Sequence, residues 1–335
     1  QTTNQKVSDY FYSWIFDNVK FDNFTLDIDS SVMTRYGEQE GAKKGYNPAK
    51  KGRASHHPLI AFIADVKLVA NMWLRSGNTS SANNFLSFLE DTLSKLKNKT
   101  IGLIRLDSGF FQSEILSYLE EKVMDYVVAV KFTHPIRHMR HDCRNCGILE
   151  TGIEICEQIY QSKSWEKPRR IVIVRQKIKD RPQATGKQLS LFPEEEIYRN
   201  YRYSGYVTNM KLPAAEIWRL YRGRGDAENR IKELKYDFGF DSFNLNDFYA
   251  TEAALTFAMI AYNLMSLFRM FVLQEKTQKT LSTLRYRTFA IGAYFEKTNG
   301  KLVLKIALNK KRRAWFSGLW NYSKDYKVPF QLSNA

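Results

Sequence analysis

The chain has 335 residues, of which 44% are hydrophobic, and it carries a formal net charge of +16 at pH 7. This length and composition support a substantial core and more than one structural unit. The basic charge, together with 14% aromatic residues, fits a nucleic-acid partner. An anionic membrane surface is the rival partner, but the sequence has no run of eighteen apolar residues and no basic amphipathic anchor.

The first part of the chain alternates strand-like and helical segments. Their order is three strands, helix, strand, helix, strand, which is typical of a mixed sheet. In chain order the predicted segments are a helix over 5–19, a strand over 24–32, a long strand or a hairpin over 59–75, a helix over 80–97, a strand over 101–107, a helix over 113–123 and a strand over 126–132. A Gly- and Lys-rich loop on residues 41–57 is a plausible contact for a DNA backbone or a solvated hairpin.

The character of the sequence changes at about residue 134. Residues 134–205 are polar and contain strand-like pieces such as RRIVIVRQKI, which predicts a β-rich insertion. Helices return at 213–236 and 248–273. The second of these is apolar nearly all round but is interrupted by polar residues, so we expect a core or interface helix rather than a membrane span. A β-like segment, KLVLKIAL, and a basic aromatic tail follow.

Cysteine content bears on the compartment and on metal binding. Three cysteines, Cys143, Cys146 and Cys156, are too few for a disulfide framework, so we expect reduced thiols in a cytosol. Cys143 and Cys146 form a Cys-x-x-Cys near His134, His138 and His141, and such a cluster can hold zinc. Here the histidines precede the cysteines at a spacing that fits no common zinc finger, which favours a loop without metal.

Four residues in the C-terminal third are spaced three, four and seven apart: Tyr221, Arg224, Glu228 and Lys235. On a continuous α-helix they share one narrow face. Such charged residues usually form a solvated helix face with weak ion pairs. One acid placed between two cations points instead to a polyanion and a metal ion.

Two glycines, Gly223 and Gly225, oppose a continuous helix here because each costs about 1 kcal/mol relative to alanine. We therefore predict a break between two helical segments, with Asp226 capping the second.

Three further carboxylates lie on predicted strands. Asp27 and Asp29 are two residues apart and share one side of the first strand. Asp107 ends the strand IGLIRLD and precedes a turn. With Glu228 on a later helix, these acids can converge at one edge of a mixed sheet, where two Mg²⁺ ions need several oxygen ligands. The alternatives are a solvated edge strand for the first two acids and a turn residue for the third.

These motifs resemble those of DDE transposases, which have a ribonuclease-H-like catalytic core. The sequence YRGRGDAENRIKELK is similar to the Tyr-x2-Arg-x3-Glu-x6-Lys signature of cut-and-paste transposases of bacterial insertion sequences. LDIDSSV resembles the first aspartate motif and LDSGF the second. The resemblance covers roughly residues 20–270. It implies an α/β fold with a mixed five-stranded sheet flanked by helices, and a β-rich insertion before the helix of the catalytic glutamate.

The resemblance and the composition together divide the chain into five segments. They are an N-terminal helix left from an upstream region (1–20), the first part of the catalytic core (21–133), the β-rich insertion (134–206), the second part of the core (207–273) and a C-terminal basic region (274–335). Relatives carry a DNA-binding region before the first aspartate. Because only about 25 residues precede Asp29, we expect end recognition to be partly missing from this chain.

The resemblance also implies the residues of the site. Asp29, Asp107 and Glu228 would form the catalytic triad that binds two Mg²⁺ ions, with Mn²⁺ able to substitute. Asp29 is preferred to Asp27 because the motif continues with small hydroxyl residues. The other signature residues, Tyr221, Arg224 and Lys235, would contact phosphates near the cleaved end.

An aromatic residue of the insertion can stack on a flipped base in such enzymes. Trp165, helped by Arg169 and Arg170, is the candidate for that role. A partly buried aromatic residue is the equally favoured alternative.

The predicted function is therefore metal-dependent 3′-end cleavage and strand transfer, with hairpin formation as one route to the second strand. Double-stranded DNA, as transposon ends and target, is the expected partner, bound by a homodimer in the bacterial cytoplasm without a membrane. The alternatives are a nuclease of the same fold that does not join DNA, a non-catalytic DNA-binding protein, and a basic structural protein of the nucleoid or membrane surface.

Overall fold

A computed structural model of the protein describes residues 2–133, 136, 139, 147–178, 201–274 and 279–325. The first part contains α1 (Thr2–Asn18), β1 (Phe24–Ser30), β2 (Met33–Thr34), β3 (Lys43–Lys44), β4 (Ala54–His56), β5 (Leu59–Ile63), β6 (Leu68–Trp73), α2 (Phe85–Leu96), β7 (Ile101–Leu106), α3 (Ser113–Glu121) and β8 (Tyr126–Ala129). The second part contains β9 (Gly147–Glu150), β10 (Ile153–Tyr160), β11 (Arg169–Lys177), β12 (Tyr201–Thr208), α4 (Ala214–Arg222), α5 (Gly225–Asp237), α6 (Phe248–Leu267), α7 (Leu281–Leu284), β13 (Ala293–Thr298), β14 (Lys301–Ile306) and α8 (Lys310–Asp325).

One mixed sheet organises the described residues, in the order β6-β5-β1-β7-β8-β12-β11-β10-β9. Strand β1 runs parallel to β7, and β7 runs parallel to β8, whereas β5 and β6 pair in antiparallel fashion. The segment 59–75 is therefore a hairpin rather than one long strand. Strands β6, β5, β1, β7 and β8 form the five-stranded mixed sheet that the sequence predicts. Strands of the predicted insertion extend this sheet to nine, because β12 pairs with β8.

Helices cover both faces of the sheet. Leu26 and Ile28 of β1 are fully buried in an apolar cluster with α1, α2 and α3. Since side chains alternate along a strand, Asp27 and Asp29 face the other helical layer. In that layer α4 packs over β8 and the insertion strands, while α5 and α6 pack over β5 and β6. The two aspartates therefore lie between two separate apolar clusters.

The helix α6 and the π-helical turn that continues it to residue 273 are long and apolar enough to cross a membrane, by length and composition alone. Half of that window is buried inside the protein, as in the core helix of a globular domain. The Asn263 side chain is fully buried and accepts a hydrogen bond from Val69 N at 2.7 Å while donating to Val69 O at 2.9 Å. The Asn263 side-chain amide thus binds α6 to the backbone of β6.

Several other predictions about helices, strands and cysteines can be compared with the structure. The signature segment does form two helices, but Asp226 does not cap the second, because its carboxylate pairs with Arg230 one turn later. The basic tail forms the helix α8, and the β-like segment is the second strand of an exposed hairpin. Cys156 is disulfide-bonded, which corrects the prediction of reduced thiols, since three cysteines still allow one bridge.

Two predictions are not tested by these elements. The candidate zinc residues, His134, His138, His141, Cys143 and Cys146, lie outside the described residues. The division of the chain into five segments stays a prediction.

Candidate active site

Asp27, the first of the two aspartates on β1, forms a buried ion pair within the protein. Asp27 is 1% exposed and receives two hydrogen bonds from Arg105, Nε to Oδ1 at 2.6 Å and Nη2 to Oδ2 at 2.7 Å. Burial raises the pKa of Asp27, and the guanidinium of Arg105 opposes that shift. Arg105 Nη1 also donates to Leu220 O at 2.7 Å, so the ion pair ties β1 and β7 to the end of α4.

Gly223, between α4 and α5, packs against the Arg105 side chain of this ion pair. A Cβ atom on Gly223 would come within 3 Å of Arg105 Nη1, whereas a Cβ atom on Gly225 would meet nothing within 4 Å. The connection between the helices keeps helical torsion angles and is tightened by hydrogen bonds from Arg224 N to Tyr221 O and from Ala227 N to Arg224 O. The absent side chain at Gly223 lets this connection lie directly on the sheet.

The second strand aspartate lies among other acids. Asp29 is 8% exposed, and its Oδ2 lies 2.9 Å from Arg224 Nη2. Burial raises the pKa of Asp29 to about 6, with Arg224 lowering it and the negative charges of Asp107 and Glu228 raising it further. The charge of the Asp29 carboxylate is therefore balanced by one buried cation, Arg224.

The other two acids of the predicted triad reach this region from separate elements. Asp107 follows β7 and is half-buried, with its Oδ1 accepting a hydrogen bond from Gly109 N at 2.8 Å. Glu228 lies in the first turn of α5 and is exposed. The negative charges of both acids raise the pKa of Asp29.

The three remaining signature residues occupy different surroundings rather than one solvated face. The Arg224 side chain is 6% exposed, and its Nε is buried without a hydrogen-bond partner. Tyr221 packs its ring 4.5 Å from that of Tyr206, and burial raises the pKa of its phenol to about 12. Lys235 donates from Nζ to Val32 O at 2.8 Å, just beyond the end of β1. Arg224 and Lys235 thus dock the two helices onto the segment that carries Asp29.

The insertion residues have structural contacts. Trp165 is 7% exposed and packs edge-on against Phe111 and Tyr160, at ring distances of 5.6 and 5.4 Å. Arg169 lies over the indole and pairs with Glu120 at 2.8 Å. This is the buried aromatic residue of the alternative interpretation, and the indole is not exposed for stacking on a base.

The Arg170 side chain also forms hydrogen bonds within the protein. It donates from Nε to Glu157 Oε2 at 3.0 Å, and from Nη1 to Met210 O at 2.9 Å and Leu212 O at 2.7 Å. Its guanidinium binds protein on both sides, so its proposed contact with DNA has no support in this geometry.

The donor set fits a divalent cation in charge and chemistry. Carboxylate oxygens are the ligands that Mg²⁺ and Mn²⁺ prefer. Asp29 is buried and pairs with Arg224, whose Nε has no hydrogen-bond partner, and the negative charges of Asp107 and Glu228 raise the pKa of Asp29. Within the described ranges, no three His, Cys, Asp or Glu side chains are grouped closely enough to hold an ion. Arg224 supplies the positive charge that pairs with Asp29 in this structure.

Sequence reasoning missed Arg105, although a signal for it was present. In IGLIRLD the arginine stands two residues before Asp107, and therefore on the same side of a buried strand. A cation at that place needs an acidic partner, and the neighbouring strand offers Asp27 in register with it. The pairing removes Asp27 from the candidate ligands and leaves Asp29.

A mixed sheet in this order, with acids at the ends of its two central strands and on the crossing helix, defines a ribonuclease-H-like fold. The sequence matches the family described as Transposase DDE domain group 1 over residues 1–322, and the chain belongs to that family. The predicted fold class and family are both confirmed.

A solved structure gives the same fold. The chain is similar to the piggyBac transposase in the cryo-EM structure of its synaptic complex with hairpin DNA, with a TM-score of 0.52 at 13% sequence identity. The similarity covers 85% of this chain and 58% of that one, so this chain spans less than two thirds of the piggyBac protein. No curated protein matches the sequence.

Proposed function

We propose that this protein cuts the 3′ end of an insertion sequence in DNA and joins that end to a target, using divalent metal ions. The observation that carries the proposal is the surroundings of Asp29. The Asp29 carboxylate is buried at the end of an inner strand, and the negative charges of Asp107 and Glu228 raise its pKa. Membership of the transposase family supports DNA as the substrate.

The three acids have one shared role in this proposal. Asp29 and Asp107 would hold the ions from the strand ends, and Glu228 from the first turn of the crossing helix, with Mg²⁺ as the expected ion and Mn²⁺ as a substitute. When bound, such ions activate water or a 3′-hydroxyl as nucleophile and stabilise the leaving oxygen at a phosphodiester. Asp27 stays with Arg105 and keeps the strand ends aligned.

The remaining signature residues would position the DNA strand. Arg224 pairs with Asp29 here, and its guanidinium could bind a phosphate through two parallel hydrogen bonds if a metal ion balanced that carboxylate. Lys235, held at the end of the Asp29 segment, would contribute a second positive charge. The half-buried phenol of Tyr221 keeps its proton at neutral pH and would donate a hydrogen bond.

The expected partner is double-stranded DNA. The piggyBac relative of known structure was solved as a synaptic complex with hairpin DNA, which supports this partner. Transposition acts on two ends of an element, so we propose a homodimer on DNA, with one site for each end.

A joining assay tests this function. Pre-cut duplexes that carry the terminal sequences of the DNA element encoding the chain are mixed with supercoiled plasmid and Mg²⁺. We expect plasmid joining by the unaltered protein and a loss of at least about 10³-fold in Asp29→Asn, Asp107→Asn and Glu228→Gln, as for the removal of a catalytic group.

The matched control is Asp226→Asn, two residues from Glu228 on the same helix, whose carboxylate pairs with Arg230 instead. Joining should survive this change. Cleavage without joining would identify a nuclease of the same fold, and activity that persists in all three acid variants would refute the proposed site.

A further inference from the structure

A small basic sheet extends from the active-site edge of the main sheet. It consists of β2, β3 and β4 with their connecting loops, residues 33–56. Six arginines and lysines and two glutamates fall in this range, so its formal charge is +6 − 2 = +4. Five of the cations are exposed and project from the loops and β3: Lys43, Lys44, Lys50, Lys51 and Arg53.

Buried polar contacts hold the underside of the basic sheet. Arg35 is 5% exposed and donates to His56 Nδ1 at 3.1 Å and to the carbonyl oxygens of Asp241 and Phe243 at 3.1 and 2.8 Å. His56 Nε2 lies 2.9 Å from Glu40 O. The sheet is therefore fastened to the loop that follows α5, the helix of Glu228.

Close backbone contact fixes a second side. A Cβ atom on Gly45 would overlap the carbonyl oxygen of Gly77, and one on Gly77 would overlap that of Ser55. These approaches need glycine at both positions. Arg75 holds the same loop through Asn83 O and Ser80 O, and its Nη2 donates to Ser30 Oγ at 3.1 Å. The exposed lysines thus stand on a rigid base connected to the residue after Asp29.

The basic sheet lies next to the candidate site. Met33, at the start of β2, follows Asp29 by four positions, so the two Cα atoms are at most about 14 Å apart. From β4 the chain enters β5, whose Leu59 is in register with Ser30 of β1. The basic sheet is therefore joined by short connections to the end of β1 and the start of β5, next to Asp29.

The exposed groups suit a nucleic acid of any sequence. Lysine ammonium groups act as point charges on phosphates and carry no base preference. Two aromatic rings stand among them, Tyr36 at 70% and Tyr46 at 76% exposure, and Arg53 lies over the Tyr36 ring at 5.6 Å. Exposed aromatic rings beside cations can pack on nucleotides.

We propose that the basic sheet binds the backbone of the target duplex and directs it to the acids. This inference rests on the proposed transposase function. Since lysines dominate the surface, it fits a duplex of arbitrary sequence, as a target is, better than a fixed terminal sequence.

The salt dependence of binding to a 30-base-pair duplex of mixed sequence tests the surface. We expect Lys43→Gln/Lys44→Gln and Lys50→Gln/Lys51→Gln to lower the slope of log K against log[salt] by up to about 1.8 each, at 0.9 for each lost phosphate contact. Lys20→Gln/Lys122→Gln is the control. It removes the same charge from exposed residues that precede β1 and β8, at the opposite edge of the sheet. An unchanged slope in both test variants, or an equal fall in the control, would overturn the inference.

Activity assays separate the target from the transposon end. In the test variants, joining of pre-cut ends to plasmid should fall at least tenfold, while cleavage at the transposon end stays within about twofold. An equal fall in cleavage would assign the surface to end DNA and contradict the proposal. If the unaltered protein neither cleaves nor joins, the proposed function fails, whereas the slope measurement still decides whether this surface binds duplex DNA.

Discussion

At the scale of single residues, the site depends on how two neighbouring aspartates are treated differently. Asp27 is satisfied by Arg105 across the strand pair, and Asp29 is left with Arg224 and two nearby acids. The sequence could place both acids on one side of a strand. It could not place Arg224 against Asp29, because that contact depends on how the later helices cross the sheet.

The two glycines of the signature segment should respond in opposite ways to alanine. At Gly223 the new methyl group would press on Arg105, which is already bound to Asp27 and Leu220, so we expect a loss of about 2 kcal/mol in the free energy of unfolding. At Gly225 the space is open, and replacing glycine in a helix should add about 0.5–1 kcal/mol. Urea denaturation of both variants measures the difference, and equal effects would contradict this role of Gly223.

At the scale of elements, the local sequence pattern predicted most helices and strands. It could not predict which strands pair when they are far apart in the sequence. The alternation in 24–32 and the helical period in 80–97 reappear as β1 and α2. The pairing of β12 with β8 joins residues about 80 positions apart, so nothing local indicates that the insertion continues the main sheet. Burial of Trp165 has the same cause, since Phe111 comes from the other side of β8 in sequence.

A buried ion pair connects the insertion to the core, and it should make stability depend on pH. Glu120 of α3 receives hydrogen bonds from Arg169 of β11 and from the Tyr126 phenol. Burial alone would raise the pKa of Glu120, but these hydrogen bonds, with a third from Lys167, lower it below the ordinary value of 4.5. The ionised carboxylate therefore stabilises the fold above pH 4.5, and this contribution is lost as pH falls through the lower folded-state pKa.

We expect Glu120→Gln to lower the free energy of unfolding by about 2 kcal/mol at pH 7, as for hydrogen bonds to a charged group. The difference from the unaltered protein should shrink as the pH falls below 4.5, the ordinary pKa of this carboxyl. Urea denaturation at pH 7 and at pH 3.5 checks this. A difference that is the same at both pH values would contradict the role of the ionised Glu120.

At the scale of the whole molecule, the fold and the site belong together. The sheet places β1 and β7 side by side among its inner strands, with their ends at one edge, and the break between α4 and α5 crosses that edge. Strand order and the four-residue signature were predictable because they repeat a family pattern. The cation that balances Asp29, and the basic sheet attached beside it, follow only from tertiary packing.

The most direct measurement is the location of Mn²⁺ by anomalous scattering in crystals of the full chain, with Asp107→Asn crystals as control. The account predicts Mn²⁺ peaks between Asp29, Asp107 and Glu228, with Arg224 moved away from Asp29, and loss of at least one peak in the control. Saturating Mn²⁺ that leaves Arg224 paired with Asp29, with no peak at the three acids, would contradict it.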